Sequence, residues 1–379
     1  MSPMFQIPKT MQAVVYRGAN DLRLETVPVP RIGPGELLVR VAVCGVCPTD
    51  IKKIQYGTVT PPRIFGHETA GTIVRAGSRA RQFRVGERVA LHHHVPCLEC
   101  HACRHHAFAQ CAQYKRTGIT AGFEPAGGGY AEYVRVMPFV LPGVVRIPAR
   151  SSFLEGAMLE PVNTVLKAVK RLALLRGDTV LVAGQGPIGL MFTRVLASRG
   201  MRVLATDLLP ARLKLARVFG AAAVCCPKPN GQSPQPGITH PAADPQLSTL
   251  VHRLTGGRGL DAAVIAVPSD AVVREAPALV RGAGQVLLFA HTRRGAETSV
   301  DLATVCMDEK DLVGSYSSDL LLQKEVARLV FSRKLDAHQL ITHQFPLAQT
   351  AAAVELAAHP TTESLKVVVV QDWFQPSSQ

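Results

Sequence analysis

The stretch Val182-Ala183-Gly184-Gln185-Gly186-Pro187-Ile188-Gly189 constrains the fold of this chain more than any other. An apolar run from Thr179 to Ala183 leads in and reads as a buried strand. An apolar segment from Ile188 to Leu196 leads out at helical spacing and stops at Gly200. The three glycines stand at G-x-G-x-x-G spacing and have separate jobs. Gly184 permits the tight turn, Gly186 lets the backbone approach a pyrophosphate, and Gly189 lets helix and strand pack closely. An anionic pyrophosphate then meets the free N–H groups at the start of the helix. Pro187 and Ile188 open that helix, and the missing N–H of Pro187 would be unpaired there in any case. A second strand, Arg202 to Thr206, ends in Asp207, about 20 residues further on, where an acid holds a ribose 2′-OH and repels a 2′-phosphate. This predicts a dinucleotide site that prefers NAD to NADP. Arg212, one turn into the next helix, either contacts the adenosine end or is a solvated helix-face charge.

The surrounding sequence supports the motif. From Asp178 to about Ala290, strands expected at 179–183, 202–206, 222–226, 261–267 and 284–290 alternate with helices expected at 187–199, 210–219, 246–255 and 269–281. Such alternation implies a doubly wound parallel sheet. Pro227 to Pro245 interrupts it with a proline- and glycine-rich surface insertion. After Ala290 the reading is a loop, helices near 319–332 and 346–358, and a strand at 365–370, a tail expected to return to the first domain.

The chain opens differently. Gln12 to Tyr16 and Leu37 to Val43 read as strands, with Val27-Pro-Val-Pro and Ile32-Gly-Pro-Gly as connecting loop, so this part is β-rich. Cys44-Gly-Val-Cys47-Pro-Thr49-Asp50 and Gly66-His67-Glu68 follow. Cysteine, histidine and carboxylate are zinc-type ligands, and a catalytic zinc needs three of them plus an open position. Glu160, in an apolar helical setting just before Pro161, is either a further ligand or a helix-start acid. Cys97-x2-Cys100-x2-Cys103-x7-Cys111 can wrap one tetrahedral ion in a closed, all-thiolate site of the structural kind. The neighbouring His92, His93, His94, His101, His105 and His106 read as loop residues, because four thiolates complete a shell. With nine cysteines in all, the odd count and the tight cluster suit metal binding in a reducing compartment better than a disulfide framework.

Taken together and in this order, Gly66-His67-Glu68, the four-cysteine lobe, Glu160-Pro161 and the glycine fingerprint resemble the zinc-dependent medium-chain alcohol and polyol dehydrogenases, from Gln12 to about Val370. Glu160-Pro161 points to the sorbitol dehydrogenase and threonine dehydrogenase branch. The resemblance implies an α/β chain with a GroES-like β-barrel catalytic domain at 1–156 that carries a zinc lobe at about 92–115. A Rossmann NAD-binding domain at 157–300 follows, and 301–379 complete the catalytic domain. It implies Cys47 and His67 as catalytic zinc ligands, Glu160 as a third or intermittent one, and Glu68 as a ligand in some states or a carboxylate behind them. Cys44 matches a non-ligand position. Thr49 matches the hydroxyl that accepts the substrate proton. Lys52 stands where the family often has a histidine that passes the proton to solvent, and Pro48 replaces a common glycine or arginine. Thr164 matches a residue near the nicotinamide carboxamide. Val267 and Phe289 are further cofactor-side candidates, and Tyr56, Ile119 and Phe289 are guesses for the substrate pocket. The implied chemistry is hydride transfer between a secondary alcohol and NAD, with the substrate hydroxyl activated by zinc and its proton leaving through Thr49.

Other classes fit less well. The net charge of +14 could suggest nucleic acid, but the basic residues are scattered, with no run and no basic–aromatic alternation. No stretch reaches the roughly 20 apolar residues that span a membrane, and Met1 to Thr10 lacks the apolar core of a signal peptide. The expectation is a cytoplasmic enzyme of small alcohols, a homodimer or homotetramer by family likeness, with no nucleic-acid or membrane partner. An NAD-using epimerase working through a transient ketone is an alternative. A non-catalytic zinc or nucleotide-binding protein is another, but it predicts a missing ligand or hydroxyl, and Cys47, Thr49, His67 and Glu160 are all present.

Overall fold

The structure, a computed structural model, describes residues 6–92, 94–117, 127–227, 245–290, 295 and 297–374. Most of the proline-rich insertion, the pocket guess Ile119 and His93 lie outside them. The chain divides into two compact units, Met1–Asn163 with Ser318–Gln379, and Thr164–Ser317. Among the described residues no helix is long and apolar enough to cross a membrane.

The discontinuous unit is β-rich, as its opening sequence implies. Leu37–Gly45 (LLVRVAVCG) is buried along its length except at Arg40, the signature of a strand covered on both faces. It forms the spine of a seven-stranded sheet. Glu68–Ala76 and Tyr133–Val136 pair with it, and Arg88–Leu91 and Val145–Arg146 extend the sheet. On the edge opposite Glu68–Ala76, shared with Tyr133–Val136, runs the C-terminal strand Lys366–Val370, antiparallel, with Val369 opposite Cys44, and beyond it Ile341–Pro346. A second sheet orders Asp21–Pro28, Thr10–Gly18 and Arg63–Ile64. Asp21–Pro28 corrects the reading of Val27-Pro28 as loop. It is an edge strand, where a terminal proline removes no needed hydrogen bond. Tyr16, Phe65 and Tyr130 are fully buried in the core below.

The continuous unit is a six-stranded parallel sheet. Its order is Ala223–Cys225, Arg202–Thr206, Thr179–Ala183, Leu260–Ile265, Val280–Leu288, Asp311–Gly314, which in chain order is the doubly wound 3-2-1-4-5-6 arrangement. The helices Pro187–Ser198, Pro210–Val218, Pro245–Thr255 and Asp270–Leu279 fall where the apolar periodicity puts them. From the sequence the alternation is expected to end at about 290. In the structure a further helix, Leu302–Met307, and the sixth strand, Asp311–Gly314, follow. The unit boundaries accordingly lie at Asn163/Thr164 and Ser317/Ser318 rather than at 157 and 300. Both missed elements are short and largely exposed, so neither carries a clear hydrophobic period.

Candidate active site

Cys47 ends the turn after Leu37–Gly45 and is the N-cap of the helix Pro48–Tyr56. Its Sγ accepts the Thr49 backbone N–H at 3.5 Å. His67 and Glu68 come from the start of Glu68–Ala76, and Gly45 pairs with Glu68 across the sheet. Ligand atoms of Cys47, His67 and Glu68 all lie within 4.8 Å of one another. One ion at about 2.0–2.3 Å from each would need only slightly shorter separations.

Behind these residues stands Asp50, fully buried, with Oδ1 3.1 Å from His67 Nδ1. A carboxylate on one imidazole nitrogen fixes the tautomer and leaves the other nitrogen for a metal. Burial alone would lower the His67 pKa, but Asp50 and Cys47 outweigh it and hold the ring well above its ordinary value. The Asp50 position is visible in the sequence, three residues after Cys47, but nothing local says that it turns toward His67.

Glu68 is clamped by Lys366 from the C-terminal strand, with Nζ 2.7 Å from Oε1 and 2.5 Å from Oε2, and Nζ also donates to Val46 O at 2.9 Å. Burial disfavours the ammonium, yet Glu68 and Cys47 raise its pKa. Glu160, also buried, stands outside the mutually close set. Its Oε1 is 3.6 Å from His94 Nδ1. Burial pushes the Glu160 carboxyl up to about 7, with His67 and Lys366 opposing and Glu68 and Asp50 adding. One thiol and three carboxyls, from Cys47, Asp50, Glu68 and Glu160, converge here on the imidazole of His67 and the single amine of Lys366, a donor set that suits a divalent cation. Soft thiolate, imidazole and carboxylate together are the donor set of a catalytic zinc.

His92 and His94, read as loop residues, are buried at this cluster. Ser318 Oγ lies 3.2 Å from His92 Nε2 and 3.4 Å from His94 Nδ1. Burial drives the His92 pKa down to about 4, so it is neutral at physiological pH. His101, His105 and His106 are exposed, but His101 opens the short helix His101–Arg104 and His105 caps it, so of the three only His106 lies in loop as read. Cys44 is buried and takes a hydrogen bond from Thr69 Oγ1 at 3.3 Å. Burial first of all pushes its thiol up to about 12, which suits a non-ligand. Lys52 is half-buried, and burial lowers its ammonium pKa. Tyr56, at the exposed end of the same helix, is 55% accessible.

In the second cysteine set, Sγ separations are 3.5 Å (Cys100–Cys103), 3.6 Å (Cys97–Cys111) and 3.9 Å (Cys97–Cys103). A tetrahedral ion with metal–sulfur bonds of about 2.3 Å spaces its sulfurs by about 3.8 Å, whereas a disulfide brings them to about 2.05 Å. The residues therefore fit zinc. Backbone N–H groups of Cys97 and Cys100 point at sulfurs 3.4 Å away, as suits thiolates.

The glycine turn lies in the other unit. Gly184 has φ +91°, and a Cβ there would come within 2.2 Å of Val267 Cγ1; at Gly189 it would come within 1.7 Å of the Gly184 carbonyl. Gly186, the helix N-cap, faces open space, which leaves room for a close ligand. Buried Gln185 braces the turn, donating to Val182 O and accepting from Thr193 Oγ1. Asp207 accepts from Gln185 N at 2.7 Å and Leu209 N at 2.9 Å, so it also ties the two strand ends together. Arg212 sits largely buried with Nη1 3.9 Å from Asp207, and this replaces the solvated-charge reading. Pro187 and Ile188 are half-buried at the helix start, and Phe289 packs edge-on to Phe192 with centroids 4.9 Å apart. Thr164 is half-buried one turn after Glu160 on the helix Leu159–Val169.

Comparison with known proteins bears on these arrangements. Residues 33–148 match the family model described as alcohol dehydrogenase GroES-like domain, and residues 187–333 match zinc-binding dehydrogenase. The chain is 30% identical to sorbitol dehydrogenase of Bacillus subtilis (strain 168), over 96% of this chain and 98% of that protein. It is 31% identical to erythritol/L-threitol dehydrogenase of Mycolicibacterium smegmatis, over 96% and 99%. Among solved structures, alcohol dehydrogenase TADH from Thermus sp. ATN1 superposes with a TM-score of 0.80 at 26% identity, covering 95% of this chain and all of that one.

Proposed function

Because the chain belongs to the zinc-dependent medium-chain polyol dehydrogenases, an oxidoreductase family that uses zinc and NAD, we propose that it oxidises a small polyol at a secondary hydroxyl, with Cys47, His67, Glu68 and Glu160 as the catalytic-zinc residues. The mutual approach of Cys47, His67 and Glu68 within 4.8 Å, with Asp50 behind His67, carries this reading. The polyol class is suggested by the sorbitol and erythritol/threitol dehydrogenases among its relatives.

When bound, zinc supplies Lewis-acid polarisation of the substrate hydroxyl and NAD supplies the hydride acceptor. Asp50 holds the His67 ring in one tautomer. Lys366 donates to Glu68 and gives its carboxyl a cationic partner in a buried site. Thr49, in the first turn of the helix capped by Cys47, relays the substrate hydroxyl proton at its Oγ1, giving up its own proton as it takes that one, and half-buried Lys52, one turn on, is the candidate to accept it as the neutral amine, the form that burial favours, and release it to solvent. In the cofactor unit, Gly184, Gly186 and Gly189 bring the backbone and the N-terminus of Pro187–Ser198 to the pyrophosphate, and Asp207 holds the adenosine ribose. Ile188, Arg212, Val267, Phe289 and Thr164 complete the cofactor assignment. Cys97, Cys100, Cys103 and Cys111 hold a structural zinc, which requires reduced thiols and suits a cytoplasmic location.

We assign self-association to the edge strand Asp311–Gly314. Its sheet partner lies on one side, and Leu302, Met307, Leu312 and Tyr316 are exposed around it, an edge that a second copy would cover. Light scattering tests this, and a monomer at micromolar concentration refutes it. The function itself is tested by NADH production across sorbitol, erythritol, threitol, threonine and aliphatic alcohols, together with metal analysis. The expected result is turnover of a polyol and two zinc ions per chain. Full activity with one zinc per chain refutes the two-site assignment.

A further inference from the structure

The mechanism gives no role to His94 or Tyr114, yet the two residues join the cysteine lobe to the catalytic cluster. Cys111 leads directly into the helix Ala112–Thr117, and three residues on is Tyr114, 5% exposed and clustered with Cys103 and Cys111. Its ring packs edge-on against His94, with centroids 5.0 Å apart and planes at 63°. The imidazole of His94, 8% exposed, lies 5.7 Å from the ring of His67. Its Nδ1 is 3.6 Å from Glu160 Oε1 and 3.4 Å from Ser318 Oγ, and Ser318 also meets His92. At 3.6 Å the approach to Glu160 is longer than a direct hydrogen bond but within ion-pair range. One side chain therefore touches a ring of the lobe on one face and neighbours two proposed metal residues.

We infer that His94 is a positioning residue that sets Glu160 and His67 for the catalytic ion, and that Tyr114 holds His94 in place, so the cysteine lobe shapes the catalytic centre through this pair. The inference rests on the proposed catalytic metal site. Packed interiors transmit displacement because they contain few voids, and groups behind metal ligands govern affinity as well as orientation. Loss of order at Tyr114 removes one wall of the His94 site, and His94 then no longer fixes the Glu160 carboxylate.

The test uses full-length protein with the lobe zinc retained and Co2+ titrated into the catalytic site. The readouts are the dissociation constant, by chelator competition, and the visible Co2+ spectrum. His94→Phe keeps a ring for Tyr114 to pack on and removes the nitrogen. It should weaken Co2+ binding by about 10- to 100-fold, the range found for groups behind metal ligands, and shift the spectrum. Tyr114→Leu, which keeps buried apolar volume, should change both readouts in the same direction, and Tyr114→Phe should match wild type. One zinc per chain should remain in every variant. Wild-type affinity and spectrum in His94→Phe overturn the inference, and the same result in Tyr114→Leu overturns the link to the lobe. If wild-type protein takes up no Co2+ beyond its lobe zinc, the catalytic metal site itself is refuted instead.

Discussion

Replacing Lys366 by Met isolates the buried ion pair that holds Glu68. Lys366 and Glu68 side chains are 6% and 2% exposed, and Nζ touches both carboxylate oxygens and Val46 O. Methionine keeps most of the volume, so the loss is electrostatic. Removing one partner of a buried pair costs about 3–5 kcal/mol. The stranded carboxylate has one escape, which is to take up a proton. For a carboxyl of ordinary pKa, about 4.3, that costs about 3.7 kcal/mol at pH 7 and about 1 kcal/mol at pH 5. The expected loss in metal-depleted protein is therefore about 3–4 kcal/mol at pH 7. At about 2–4 °C per kcal/mol for a unit of this size, Tm should fall by roughly 6–16 °C. The deficit should shrink at pH 5, because protonation is then cheap. Zinc should narrow it as well, by supplying the missing positive charge. Lys366→Met with Glu68→Gln should recover much of the loss, since no charge is stranded. Differential scanning fluorimetry at both pH values, with and without zinc, gives the answer. A single variant that melts within about 2 °C of wild type at pH 7 refutes the reasoning, as does a deficit that is equal at pH 5 and pH 7.

Three further outcomes follow from the site. Thr49→Val removes the hydroxyl at nearly constant shape and should lower kcat by about 10²–10⁴-fold with unchanged zinc content, while Thr49→Ser keeps most activity; near wild-type turnover in Thr49→Val means that the proton leaves by another route. Asp207→Ser should narrow or invert the preference for NAD+ over NADP+ in kcat/KM, and because Asp207 also accepts from Gln185 N and Leu209 N, KM for both cofactors should rise; wild-type preference for NADP+ would refute the assignment. In metal-depleted protein Glu160, raised to about 7 by burial, contributes stability that is present below its unfolded pKa and lost as pH rises through about 7. Melting curves should thus show Glu160→Gln gaining on wild type as pH rises from 5 to 8, and parallel curves would sink this.

The parts of the molecule that the sequence displays most clearly are those whose chemistry is local. The glycine turn, the four cysteines and the parallel-strand alternation are each written within one short segment, because a tight turn, a thiolate shell and a buried strand impose residue types at fixed spacing. Asp50, His94 and Lys366 are different. Their roles depend on pairings such as Val369 with Cys44 and Gly45 with Glu68, which no local pattern encodes. Lys366 has only an apolar C-terminal strand around it, and His94 stands in a histidine run beside cysteines that already satisfy an ion. The short strands Asp311–Gly314 and Ile341–Pro346 carry little signal in the sequence because edge strands need no strong hydrophobic period.

The pairing of Glu68 with Lys366 across 298 residues also bears on how the chain is made. At about 5–20 residues per second of synthesis, roughly 15–60 s separate the emergence of the carboxylate from that of its ammonium partner. The whole continuous unit, Thr164–Ser317, leaves the ribosome in that interval and contains all six of its strands. The central strand Leu37–Gly45 meanwhile lacks its C-terminal neighbour Lys366–Val370, so the Val43–Gly45 end of one hydrogen-bonding edge stays open. Nascent chains stalled short of residue 366 should thus carry a finished nucleotide-binding unit beside an unfinished, aggregation-prone sheet, and the dehydrogenase becomes competent only when its last strand is delivered.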